Sequence, residues 1–81
     1  MRIDQFLNAT NIVKKRSIAS DMCKSGVVQI NDIKIKSSKE IKIDDMIKIT
    51  YLDYTKHYKV LQLPSNKTTP KTDQELYIKD I

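Results

Sequence analysis

In 81 residues the sequence holds one glycine, one cysteine, one histidine, two prolines and no tryptophan. Each scarcity removes a class of function. With Gly26 alone, no glycine-rich loop can cradle the phosphates of a nucleotide. With Cys23 alone there is no internal disulfide and no cysteine-based zinc site of recognisable spacing. Cys23 falls on the expected buried face of a helix, where a small apolar thiol packs rather than reacts. His57 has no second histidine beside it, and Asp44-Asp45 sit in a turn without partners for acid–base or metal work. Apolar runs stay far below the roughly 20 residues needed to cross a bilayer. The N-terminus alternates charge with apolar residues and does not build a signal peptide. The expectation is a cytoplasmic non-enzyme with no cofactor, no metal and no membrane contact.

What the chain has is positive charge, and it is unevenly placed. The formal net charge is +5 and the sequence pI about 9.4. Residues 1–36 carry seven Lys/Arg against three Asp, residues 37–63 five against four, and residues 64–81 three against three. The excess therefore belongs to the N-terminal half, as a polyanion-binding face requires.

Ile3, Phe6, Leu7 and Thr10 recur at helical spacing, with Asp4 near the start to favour the dipole, so a first helix is expected over about 3–10. Ile12 and Val13 read as the apolar plug of a short connection. A second helix over about 16–25 would bury Ala19, Met22 and Cys23, keep Asp21 and Lys24 in water, use Ser17 near its start and end at a left-handed Gly26. The period then changes to two. Val28 and Ile30, then Ile33 and Ile35, alternate with polar residues around an Asn31-Asp32 turn, which is a hairpin. Residues 37–45 read as a polar connection with Ile41 and Ile43 dipping inward. Ile47, Ile49 and Tyr51 form another strand, and Tyr58 and Val60 lie on a returning one. The fold class is α+β, with two N-terminal helices packed on a small, mostly antiparallel curved sheet.

Pro64 is read as the end of a domain over residues 1–63. Residues 64–81 read as a polar tail, with linker composition over 65–72 and with Thr72 and Glu75 as a capping box for a short helix carrying Leu76, Tyr77 and Ile78.

The basic residues open the two helices. Arg2 precedes the first, and Lys14-Lys15-Arg16 open the second. If the helices fold as a short elbow, Arg2, Lys15 and Arg16 converge on one groove. Each can neutralise a phosphate, and a guanidinium can also bond one bidentately. Arg16 is expected to be exposed and partnered by phosphate alone. Lys24, Lys34 and Lys36 extend the face, and Asn31 can reach a ribose hydroxyl or simply bond its own turn. Tyr54, at a hairpin tip, is the tyrosine placed to stack on an unpaired base.

Three segments carry a family resemblance: Met1-Arg2-Ile3-Asp4-Gln5-Phe6-Leu7, Lys14-Lys15-Arg16 followed by Ser17-Ile18-Ala19, and Gly26-Val27-Val28-Gln29-Ile30-Asn31. Together they resemble the S4 RNA-binding domain and its alpha-L motif, most nearly the free-standing RqcP and heat-shock-associated S4 type. That resemblance implies binding to ribosomal RNA of an obstructed large subunit and to P-site peptidyl-tRNA, in ribosome-associated quality control. It also implies action beside an RqcH-type factor during C-terminal tailing, by a protein that is a monomer off the ribosome. The positions matching the family's RNA-contact motif are Arg2, Lys15 and Arg16. Asn11 departs from a position often basic, and Asp32 replaces the glycine usual after the asparagine. Two alternatives stand beside this. One is a heat-shock-type S4 protein that recycles obstructed subunits; the other is an accessory fragment related to an RNA-modifying enzyme such as a pseudouridine synthase.

Overall fold

The structure is a computed structural model describing residues 1–64 and 71–81; the side chains of 71–73 also lie outside the description. Two helices come first, α1 (Ile3–Ala9) and α2 (Arg16–Lys24). Strands β1 (Val28–Ile30), β2 (Ile33–Lys34), β3 (Met46–Thr50) and β4 (Thr55–Val60) follow, then a 3-10 turn over Lys71–Leu76 and β5 (Ile78–Asp80). One sheet of order β2-β1-β3-β4-β5 contains all five strands, every neighbouring pair antiparallel. The helices and the hairpin lie where the periodicity places them.

The helices are short and sit on the sheet through one apolar cluster. Ile3, Phe6 and Leu7 of α1 and Ala19 and Cys23 of α2 meet Val28, Ile47, Ile49 and Val60 from the sheet, all fully buried. Met22 packs against the edge of this core and Val13 is buried beneath the elbow, as the plug reading expects. Gly26 has φ +84°, the left-handed conformation that ends a helix cheaply only in glycine. Asn31 and Asp32 both have positive φ, 51° and 65°, and join residues paired as Ile30 with Ile33. That is the two-residue turn whose twist suits a hairpin.

Two expectations, for Ile43 and Ser17, fail for physical reasons. Ile33, whose burial the alternation left open, stands on the two-residue edge strand and is 65% exposed. Alternation identifies a face but not whether anything covers it. Ile43 is 56% exposed while Ile41 is buried. The Lys42 amide donates to Asp45 Oδ2 (2.8 Å), and Asp44 takes φ 75°, so Ile43 rides the turn itself. Ser17 does not cap α2, whose N-cap is Lys15 without a side-chain cap bond.

The C-terminal segment also departs from the polar tail. Ile78 lies on a strand, not on a helix with Leu76 and Tyr77, and β5 pairs with β4 as Tyr58 with Asp80 and Val60 with Ile78. Ile78 is buried and Lys56 Nζ bonds Asp80 Oδ2 at 2.6 Å. Gln74 Nε2 donates to the Thr10 carbonyl at the end of α1 (2.7 Å). Too few apolar residues for a separate core are still enough to complete an existing one at the open edge of β4. Of the linker reading over 65–72, residues 65–70 lie outside the described residues, as does the Thr72 side chain of the capping box, while the backbone of 71–72 belongs to the 3-10 turn.

Candidate nucleic-acid interface

The site is organised around Asp4. Its side chain is 4% exposed, and Oδ2 lies 3.3 Å from the Arg2 guanidinium and 3.6 Å from Arg16 Nε. Oδ1 accepts the Gln5 amide at 2.8 Å. Two arginines from the starts of two helices thus share one buried carboxylate oxygen. Their side chains remain 43% and 48% exposed, so each can bond outward while Asp4 fixes its stem. Arg16 is therefore not partnered by phosphate alone, which corrects the sequence expectation.

Three further contacts hold the elbow. Asn8 Nδ2 donates to the carbonyls of Val13 (3.3 Å) and Lys14 (3.0 Å). Thr10 Oγ1 donates to the Phe6 carbonyl at 2.7 Å. The chain ahead of α1 pairs with residues 39–41: Ile3 N–H donates to Lys39 O, Ile41 N–H to Met1 O, and the Met1 ammonium bonds Glu40 Oε2 at 2.8 Å. That bond holds the Glu40 carboxyl below its ordinary range. Arg2 is thereby anchored on both sides.

Arg2, Lys24, Lys34 and Lys36 line one groove together with Cys23 and Ser37. Lys34 reaches it by crossing the α2–β1 corner, where a Cβ on Gly26 would meet its Cε at 3.2 Å. Lys14 and Lys15 are exposed at the elbow just before Arg16. Asn31 is not brought to this groove. Its Oδ1 accepts the Met46 amide (3.1 Å) and its Nδ2 faces Asp45, so the side chain bonds the sheet and the neighbouring turn. Tyr54 stacks on Tyr51 with ring centroids 4.8 Å apart, which occupies one of its faces.

Cys23 is fully buried in the groove's floor. Burial, and then the Asp4 charge, pushes its thiol up to about 11. It stays protonated and packs, as expected of a structural thiol. Sequence reasoning found the cations but missed their organisers. Asp4 carried only a helix-dipole signal, and nothing in the local pattern marked Asn8 or Glu40. Among the described residues no group of three potential ligands could hold a metal ion, and no helix is long and apolar enough to cross a membrane.

The S4 domain family profile matches residues 1–47, which contain both helices, the elbow and the first hairpin. The chain is 45% identical over 78 residues to the RQC P-site tRNA stabilizing factor of Helicobacter pylori (strain ATCC 700392 / 26695), covering 96% of this chain and 93% of that one. It is 32% identical to the Haemophilus influenzae heat shock protein 15 homolog, covering 95% of this chain and 59% of that one. The solution structure of hypothetical protein HP1423 superposes with a TM-score of 0.86 at 43% identity, covering 100% of this chain and 96% of that one. Two helices at a cationic elbow on an antiparallel sheet, with the family profile matched across them, give one conclusion: the chain belongs to the S4 domain family.

Proposed function

We propose that this protein stabilises P-site tRNA on a large ribosomal subunit during ribosome-associated quality control. It binds ribosomal RNA through the elbow formed by Arg2, Lys14, Lys15 and Arg16, with Lys24, Lys34 and Lys36 extending the contact. The observation that carries this reading is the convergence of Arg2 and Arg16 on Asp4, in a chain similar over nearly its whole length to relatives named for that task. Stabilising a tRNA is binding work, and no chemical step is assigned to the protein. Phosphates are recognised by charge and shape, because side chains cannot read the closed major groove of an A-form helix. In this reading the protein is cytoplasmic, a monomer off the ribosome, and works beside an RqcH-type tailing factor.

The similarity to a heat shock protein 15 homolog supports a second reading, recycling of obstructed subunits without a tailing partner. Retrieval of ribosomal subunits with the full-length protein separates the two. Large subunits carrying peptidyl-tRNA together with a tailing factor support the first reading. Subunits and tRNA without that factor support the second, and retrieval of no subunits refutes both.

A further inference from the structure

The strand register gathers three lysines around His57 on the face of the sheet turned away from the core. Val28, Ile47, Ile49 and Val60 point inward, so the residues alternating with them point outward. Lys48 stands opposite His57, and Lys59 opposite Lys79. His57 and Lys59 are two apart on β4, so these four side chains form one contiguous group across β3, β4 and β5.

Fold stability does not account for them. Lys59 and Lys79 form a directly opposed like-charge pair, which destabilises a sheet. Lys59 reaches Asp44 at 3.6 Å, while Lys48 and Lys79 have no ion pair among the described residues. The acids near this face stand at its margin: Asp44 at one turn, and Asp32 at another, where it lines a shallow depression with Lys48 and His57. Asp80 falls on the opposite face, opposite Tyr58 and bonded to Lys56.

We infer that the outward face of β3, β4 and β5 is a second RNA-backbone surface, which holds phosphates of the tRNA while the Arg2–Arg16 elbow holds ribosomal RNA. The inference rests on the proposed function, and it supplies what that function physically needs. Two polyanions held side by side repel, and a small domain between them must offer cations to both. Lysine ammonium groups are point charges that position a backbone without reading sequence. The face presents Met46, Thr50 and Thr55 beside the lysines and no tyrosine or phenylalanine, so it suits stacked, paired RNA rather than splayed bases.

The test is the affinity of the full-length protein for large subunits purified with and without peptidyl-tRNA, across a salt series. In the triple variant Lys48→Ala, Lys59→Ala, Lys79→Ala, affinity for tRNA-free subunits is expected to stay within about twofold. The extra affinity for tRNA-carrying subunits should fall by about tenfold or more, with its salt slope shallower by about two to three. Lys79→Glu controls for folding, because it turns the like-charge pair with Lys59 into an attractive one. It should unfold no more readily than the parent protein and still lose the tRNA-dependent gain. Survival of that gain in both variants overturns the inference, as does a parallel loss on both kinds of subunit, which assigns the lysines to ribosomal RNA. If the unaltered protein shows no preference for tRNA-carrying subunits, the proposed function fails first, and that result is visible before any variant is made.

Discussion

Arg2 and Arg16 approach the same oxygen, Oδ2 of Asp4, at 3.3 and 3.6 Å. One buried carboxylate therefore sets the spacing of two exposed guanidinium groups that belong to different helices. Replacing Asp4 with Asn keeps an oxygen for the Gln5 amide but removes the charge both arginines share. Breaking a fully buried pair costs about 3–5 kcal/mol, but the half-exposed arginines regain water, so about 1–2 kcal/mol is expected. Urea unfolding reads that loss. Subunit affinity measured where the variant is fully folded should also drop, because the guanidinium groups are no longer held in register.

Arg16→Ala separates binding from folding more cleanly. The side chain is half exposed and lies outside the apolar cluster, and Arg2 still pairs with Asp4, so the unfolding midpoint should fall by less than in Asp4→Asn. Affinity for the large subunit should weaken, with a salt slope lower by about one as one phosphate contact is lost. Arg16→Lys should restore only part of it, since an ammonium cannot reproduce a bidentate fork. Unchanged affinity in the triple variant Arg2→Ala, Lys15→Ala, Arg16→Ala, with normal folding, would remove the elbow from the proposed interface.

The helices, the hairpin and the cationic elbow were legible in the sequence because each has a local signature. Ile3, Phe6 and Leu7 keep helical spacing, Gly26 permits a left-handed cap, and Asn31-Asp32 lies between alternating residues. What stayed hidden depends on residues distant in the chain. Asp4 meets Arg2 and Arg16 together only when the starts of the two helices come together, and Met1 finds Glu40 only once the segment after the hairpin returns. Ile33 and Ile43 carry the same alternation signal as Ile30 and Ile41, and only the tertiary surroundings decide which of them bury.

Asp32 offers a test of turn chemistry. It takes φ 65° next to Asn31 at 51°, so both central positions of the hairpin turn are left-handed, where glycine follows asparagine most comfortably. Asp32→Gly should raise stability by about 0.5–1 kcal/mol, relief of strain outweighing the greater freedom of the unfolded chain. Asp32→Val, whose branched side chain fits that region poorly, should lower it. Paired thermal unfolding curves decide the sign.

Cys23 predicts a pH dependence. Its folded pKa of about 11 lies above the ordinary 9.0, so between these values the unfolded chain releases a proton that the native state keeps. Stability linked to this thiol is thus intact below pH 9 and falls as pH rises toward 11, by at most about 2–3 kcal/mol. Tyr51 and Tyr58 are also shifted upward, chiefly by burial, and act in the same direction. The cysteine's share is the difference in slope between the parent protein and Cys23→Ala. At pH 8 the native thiol should resist alkylation until the chain is unfolded, and rapid labelling of folded protein would contradict its burial.

Ile78 and Leu76 lie two residues apart in a segment whose composition gave no hint of a strand, yet they should respond differently to truncation. Ile78 is buried against Val60 across the β4–β5 register, whereas Leu76 is more than half exposed. Ile78→Ala removes buried methyl groups and leaves a cavity at the sheet edge, costing about 2–3 kcal/mol. Leu76→Ala should stay within about 0.5 kcal/mol. Amide exchange adds an independent measure: the Leu61 amide donates to the Tyr77 carbonyl at 2.7 Å, and its protection should fall in Ile78→Ala along with the global stability. If both variants unfold at the parent's urea midpoint, β5 contributes nothing to the fold and Val60 gains nothing from its neighbour.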